Sequence, residues 1–198
     1  MKTYGKLVVG CSMIIILMAC QSEPKMEVEK EDTLSEEAME TRAEANKPIN
    51  VSLIDNEGIE IGMATLEEGK QGVEISIEGH HLPAGIHGFH IHEKGICETP
   101  DFESAGGHFN PDNKQHGFNN PEGPHAGDIE NLEVNEDGTV EAKFINDRVT
   151  LKKDEAHSLL SKEGTTLMIH ADEDDYTSQP AGNAGDRIAC VVIYPGAS

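Results

Sequence analysis

"INVSLIDNEGIEIGMATLEEGKQGVEISIEG", residues 49–79, alternates apolar and polar side chains in three short runs, INVSLID, IEIGMATL and GVEISIE, parted by turn residues. Side chains along a strand point to opposite faces with a period of two, so each run reads as a strand with one buried and one wet face. Asn56-Glu57-Gly58 and Glu68-Gly69 are turn signals that send the chain straight back, which makes neighbouring strands antiparallel. Four later runs share the texture: GFHIH (88–92), TVEAKFI (139–145), TTLMIHA (165–171) and RIACVVIY (187–194), with Asp137-Gly138 as a further hairpin turn. After residue 48 no long helical period occurs, although DEAHSLLSKEG (154–164) has room for a turn or two of helix. The expectation is an all-β domain, its antiparallel sheet folded into a sandwich or barrel.

Before this domain the texture is different. Lys2 and Lys6 precede a mostly apolar run, Leu7 to Met18, which has the form of an export signal and is too short to span a bilayer comfortably. It ends in Leu17-Met18-Ala19-Cys20, which resembles the lipobox of bacterial lipoproteins, where cleavage before the Cys is coupled to its lipidation. Val8-Val9-Gly10-Cys11 fits a looser lipobox with almost no apolar run ahead of it, and an uncleaved signal anchor is the remaining alternative. From Gln21 to Lys47 the chain is rich in Glu and poor in large apolar residues, so it cannot bury enough surface to fold alone and reads as an acidic tether. The expected organisation is a signal peptide over 1–19, a lipidated Cys20 and disordered tether over 20–47, and one folded domain over 48–198. That places the protein outside the cytoplasm as a membrane-anchored lipoprotein, in the periplasm or at the cell surface of a bacterium. A formal charge of -22 argues against nucleic acid as a partner. With Cys11 removed and Cys20 acylated, Cys97 and Cys190 remain, and two thiols in an exported domain read as one disulfide, with two buried free thiols the alternative.

Two stretches interrupt the strand pattern, residues 93–127 and 172–186, and long structureless segments in a compact domain are usually functional. In the strand before the first, His90 and His92 stand two positions apart and face the same way, while Phe89 and Ile91 face the other. His108, His116, His125 and Asp128 follow, and His170 ends the apolar run TLMI. Neutral imidazole with carboxylate suits zinc and copper, and six His with one Asp exceed what one four-coordinate ion needs, so two metals are implied.

These blocks resemble the copper, zinc superoxide dismutase family, in its bacterial exported form. GIHGFHIHEKGIC (85–97) is similar to the family's copper-binding strand and first half-cystine, SAGGHFNP (104–111) to its bridging-histidine segment, and HGFNNPEGPHAGD (116–128) to its zinc loop. GNAGDRIAC (182–190) is similar to the second signature, with an active-site Arg and the second half-cystine. The resemblance covers roughly residues 48–194 and implies a Greek-key β-sandwich or flattened barrel, immunoglobulin-like in architecture, that dismutes superoxide to oxygen and hydrogen peroxide. It implies one copper on His90, His92, His108 and His170 and one zinc on His108, His116, His125 and Asp128, with His108 shared. Asp174 matches a carboxylate that links a copper His to a zinc His from behind, Arg187 the guanidinium beside copper, and Cys97 with Cys190 the disulfide. Arg187 and His108 are the catalytic pair, and a homodimer is one assembly the resemblance allows.

Each residue type has a chemical reason. Histidine tolerates both oxidation states of copper, and only an imidazole offers one nitrogen to each of two metals, so His108 can release copper on reduction and take a proton at that nitrogen. Zinc has no redox chemistry and its role is structural. Arg187 gives a positive charge that does not titrate away. His80 and His81 read as exposed, His87 as a hydrogen-bonded support behind the copper strand, and His157 as no ligand. One departure concerns steering: ADEDDYTSQPAGNAGD (171–186) holds no Lys and several acids, so a negative rim should slow an anion unless Lys94 or Lys114 compensates. A relative that holds zinc or copper without turnover is the alternative function; it would be marked by loss of a copper ligand or of the Arg, and neither is lost. A purely adhesive sandwich leaves the ligand spacing unexplained.

Overall fold

The computed structural model describes residues 47–194. Among them are nine strands: β1 (Ile49–Asp55), β2 (Glu60–Glu68), β3 (Val73–Gly79), β4 (Gly85–His87), β5 (Phe89–His92), β6 (Leu132–Val134), β7 (Val140–Asn146), β8 (Thr165–His170) and β9 (Arg187–Ile193). Seven form one antiparallel sheet in the order β5-β8-β9-β1-β2-β3-β7, and β4 pairs with β6 in a second, two-stranded sheet. The pairings of β3 with β7 and of β9 with β1 join strands distant in sequence, so the chain crosses between hairpins in Greek-key fashion. β4 and β5 are one run interrupted at Gly88, and through it the chain passes from the small sheet into the large one.

Alternation builds the core as the sequence predicts. Leu53, Ala64, Leu66, Ile75, Ile77, Phe89, Ile91, Leu167, Ile169 and Val191 are fully buried in one cluster, and each large one contributes on the order of 2 kcal/mol over an exposed position. A smaller cluster lies on the opposite face of β8 and β9, where Met168 and Cys190 pack under Phe102 and Ala105. The disulfide between Cys97 and Cys190 forms there, with a Cα–Cα distance of 6.1 Å and a sequence separation of 93.

All seven predicted strands are present, GFHIH starting at Phe89 rather than Gly88. Two more, β4 and β6, are three residues long and too short to show a period. DEAHSLLSKEG holds turns and one isolated bridge, Thr150 to Ser158, rather than helix. The expected signal peptide, Cys20 and the acidic tether lie outside the described residues, as does Cys11.

Candidate metal centre

The sheet supplies three of the histidines. In β5, Phe89 and Ile91 sit opposite Ile169 and Leu167 of β8 in the core, which turns His90 and His92 outward under the loops. There His90 bridges to Asp128 and His92 to His108. His170 ends β8 opposite Arg187, across a shift in register between Ile169 and His170. That shift reflects an extra residue in β9: Ile188 and Ala189 both pack on the core, so Arg187 emerges on the outer face beside His170. Strict alternation would have put Arg187 inward with Ala189 and Val191; the bulge re-aims it.

Four rings, His90, His92, His108 and His170, each offer one ligand nitrogen, all within 4.8 Å of one another, and all four residues are buried. The other nitrogen of each ring is anchored. His90 Nε2 donates to Asp174 Oδ2 at 2.8 Å, His92 Nδ1 to the Gly106 carbonyl at 3.0 Å, and His170 Nδ1 to the Gly185 carbonyl at 3.2 Å. Such bonds fix the tautomer and point a lone pair from the remaining nitrogen into the site.

A second group, His108, His116, His125 and Asp128, lies beside the first and shares His108 with it. Asp128 Oδ1 faces the Nδ1 atoms of the three rings at 2.9, 3.1 and 3.2 Å. Its Oδ2 is occupied by the backbone N–H groups of Gly117 at 2.9 Å and His125 at 3.0 Å. Asp174 ties the groups together from behind: Oδ2 accepts from His90 and Oδ1 from His116 Nε2 at 3.0 Å. Its own backbone is bracketed by Asn131, whose Nδ2 donates to the Asp174 carbonyl at 2.9 Å and whose Oδ1 accepts the Asp174 N–H at 3.0 Å.

The electrostatics favour metal-ready ligands. Burial, assisted by neighbouring rings, lowers His108 and His170 from 6.5 to about 3, and burial likewise holds His90 below and His92 well below that value, so these four rings are neutral at neutral pH. At His116 burial opposes the charged form, yet hydrogen bonds to Asp128 and Asp174 outweigh it and raise the ring to about 9. Asp128 and Asp174 stay well below the usual carboxylate range: burial pushes them up, but the histidine hydrogen bonds more than offset it.

Copper and zinc suit this donor set. Two buried ring nitrogens, His90 Nδ1 and His108 Nε2, have no hydrogen-bond partner, and a buried polar atom left unmatched calls for an ion or water. Both belong to the all-imidazole group. The carboxylate-containing group has the N₃O donors of a zinc site.

Arg187 borders the first group. Its Nη1 donates to the Phe102 carbonyl and its Nη2 to the Gly106 carbonyl, both at 2.6 Å. It lines a cleft of about 830 Å³ together with Asp101, Glu103, Gly107 and Asp186, and Glu103 and Asp101 are close enough to act on its charge. Lys94 and Lys114 are exposed and neither lines that cleft. His80 and His81 are exposed as expected. His87 is buried between the carbonyls of His170 and Pro83, at 2.8 and 2.9 Å. His157 pairs with Asp112 at 2.9 Å, away from both groups. The residues that sequence reasoning misses are Asn131 and the carbonyls of Gly106 and Gly185; a carbonyl carries no side-chain signal, and a lone Asn in a loop carries little.

The comparisons with known proteins agree with this geometry. A family model described as copper/zinc superoxide dismutase (SODC) matches residues 60–193. Superoxide dismutase (Cu-Zn) 1 of Aquifex aeolicus is 49% identical over 145 residues, covering 73% of this chain and 86% of the relative. Superoxide dismutase-like protein YojM of Bacillus subtilis is 47% identical over 143 residues, covering 71% and 73%. Among solved structures, a double mutant of a SOD-like protein from Bacillus subtilis, with a tyrosine and a proline changed to histidine, superposes with a TM-score of 0.72 at 46% identity. It covers 73% of this chain and 96% of the other.

Proposed function

Because this chain belongs to the copper/zinc superoxide dismutase family, its reaction is the dismutation of superoxide with copper and zinc as cofactors, and we propose how its residues divide that work. His90, His92, His108 and His170 hold the copper; His108, His116, His125 and Asp128 hold the zinc. The observation that carries this division is His108 itself, whose Nδ1 is bound to Asp128 in one group while its buried Nε2 has no partner on the side of the other.

Two superoxide ions and two protons become one oxygen and one hydrogen peroxide. Copper, when bound, supplies the one-electron couple between the two superoxide ions, and zinc, without redox chemistry, holds its loop. The chain's residues do the rest. Arg187 holds a fixed positive charge at the cleft beside His170, where an anion docks, and its two carbonyl bonds keep it from swinging away. His108 Nε2 is the atom placed to hold a proton, its ring kept in orientation by Asp128. Asp174 holds the outer nitrogens of His90 and His116 so that neither ring rotates.

The full-length chain loaded with both metals is expected to dismute superoxide, and His170→Ala to lose that activity and its copper while keeping zinc. A wild-type chain that carries both metals yet is inactive would falsify the assignment. A metal-holding protein without turnover is the reading that the superoxide dismutase-like relative invites; the complete ligand set together with Arg187 favours the enzyme. The apolar run before Cys20 supports lipidation there and a place outside the cytoplasm, in the periplasm or at the cell surface, where the enzyme would protect that compartment. Retention in the membrane fraction, and release on Cys20→Ser, checks the anchor.

A further inference from the structure

Tyr176 belongs to the loop between β8 and β9 and has a left-handed backbone, φ 58°, which a bulky non-glycine residue seldom adopts. Such a conformation persists only where the surroundings hold it, and at Tyr176 they do so through every polar atom. Its N–H donates to Asp174 Oδ1 at 2.7 Å, the same oxygen that accepts from His116 Nε2. Its carbonyl accepts the N–H of Asn119, in the loop that carries His116 and His125, at 3.1 Å. Its hydroxyl oxygen accepts the N–H of Asn131 at 2.7 Å, the residue whose side chain brackets the Asp174 backbone.

The ring continues the chain of contacts. It meets Phe118 edge to face at 5.5 Å, and the Arg148 guanidinium lies over the Phe118 ring at 5.2 Å. Arg148 Nη2 donates at 2.7 Å to the carbonyl of Asp128. Gly117 fits against this seam because a Cβ there would lie 2.0 Å from the Tyr176 carbonyl oxygen, and its own N–H binds Asp128 Oδ2. A run of contacts, Asp174–Tyr176–Phe118–Arg148–Asp128, thus passes from the Asp174 carboxylate to the Asp128 backbone around the outside of the second ligand group, and His116, which meets both carboxylates, closes it.

We propose that Tyr176 is a positioning residue that latches the β8–β9 loop to the zinc loop, with Phe118 and Arg148 as its seat, and that it governs how tightly zinc is kept. This rests on the assignment of zinc to His108, His116, His125 and Asp128. The latch works through two of the ligands: His116 is steadied by Asp174, which Tyr176 holds by its N–H and through Asn131, and Asp128 is steadied by Arg148. Partners of this outer kind typically change metal affinity by about 10-fold to 100-fold.

The test compares full-length wild type with Tyr176→Phe, Tyr176→Ala, Arg148→Lys and, as a control, Tyr194→Phe, whose parent side chain is exposed just past the end of β9. Release of zinc to a chromophoric chelator is timed, and the visible spectrum of cobalt(II) in the zinc position is recorded for each. Expected are release about threefold faster for Tyr176→Phe, which keeps the ring but strands the Asn131 N–H, and about tenfold or more for Tyr176→Ala. An intermediate rate is expected for Arg148→Lys, with a shifted cobalt spectrum in Tyr176→Ala and no change in Tyr194→Phe. Wild-type release rates in both Tyr176 variants overturn the latch, and so does faster release with an unaltered cobalt spectrum, which would mean general loosening. A wild-type chain that takes up neither zinc nor cobalt overturns the zinc assignment and the latch with it.

Discussion

At neutral pH and without metal, His116 carries a positive charge between two carboxylates, while the four rings of the copper group are neutral. The consequence for stability has opposite signs on the two sides of pH 6.5. His116 is raised on folding, so its contribution is complete below 6.5 and is lost as pH rises through about 9. His90, His92, His108 and His170 are lowered, so unfolding takes up protons below 6.5 and stability falls towards about pH 3. The metal-free, disulfide-intact protein is therefore expected to melt highest near pH 6.5, with a steeper acid side because four groups act there against one. Calorimetry across pH 4 to 9.5 checks this, and a melting temperature that climbs from 6.5 to 9 would contradict it. His116→Gln is expected to flatten the alkaline side. Asp174 is one of 37 Asp and Glu and was singled out only by the family resemblance, whereas the clustered histidines were legible because imidazole is uncommon, 10 residues of 198. The acceptors that orient them were not: the carbonyl of Gly106, which takes bonds from both His92 and Arg187, belongs to the backbone and has no letter of its own.

Strands buried on one face announced themselves by period, as Val73–Gly79 does with its buried-intermediate alternation, while β8, buried throughout, reads as an apolar run. β4 and β6 did not, since three residues hold little more than one period. The bulge in β9 was also invisible, because RIACVVIY alternates well enough to suggest a plain strand, and only the packing of both Ile188 and Ala189 on the core shows why Arg187 faces His170. What the loops place around that Arg is an acidic mouth: Asp101 and Glu103 from one side and Asp186 from the other, with no Lys lining the cleft. An anion that approached Arg187 through this cleft would meet a repulsive local field, which salt weakens. The rate is expected to rise with ionic strength at constant pH, and the double variant Asp101→Asn, Glu103→Gln to be faster at low salt, by about twofold, and less sensitive to added salt. Pulse radiolysis over a range of salt concentrations decides the sign, and a rate that falls with salt removes the repulsive mouth from the account.

Across the whole domain the two candidate ligand groups have different origins. Three histidines of the group proposed for copper stand on strands, His90 and His92 on β5 and His170 on β8, so the sheet that buries the core also aims them. In the group proposed for zinc, His116, His125 and Asp128 stand on loop alone, where hydrogen bonds to Asp128 and Asp174 do what strand pairing does elsewhere. That difference explains why the sequence announces the FHIH strand by its period and the second group only by its inventory of residue types. The cysteine bond crosses both: a separation of 93 residues corresponds to about 4 to 5 kcal/mol in the chain-entropy picture, a large part of a domain's net stability. It also changes what a broken backbone would mean. Exposed residues 152–156 and 112–115 lie between the two cysteines in sequence, and a protease that cut at either place would leave two pieces still joined by sulfur and by the sheet. Such a nicked molecule keeps its ligands in one body, and parting it takes a reductant for the sulfur bond together with a denaturant for the sheet.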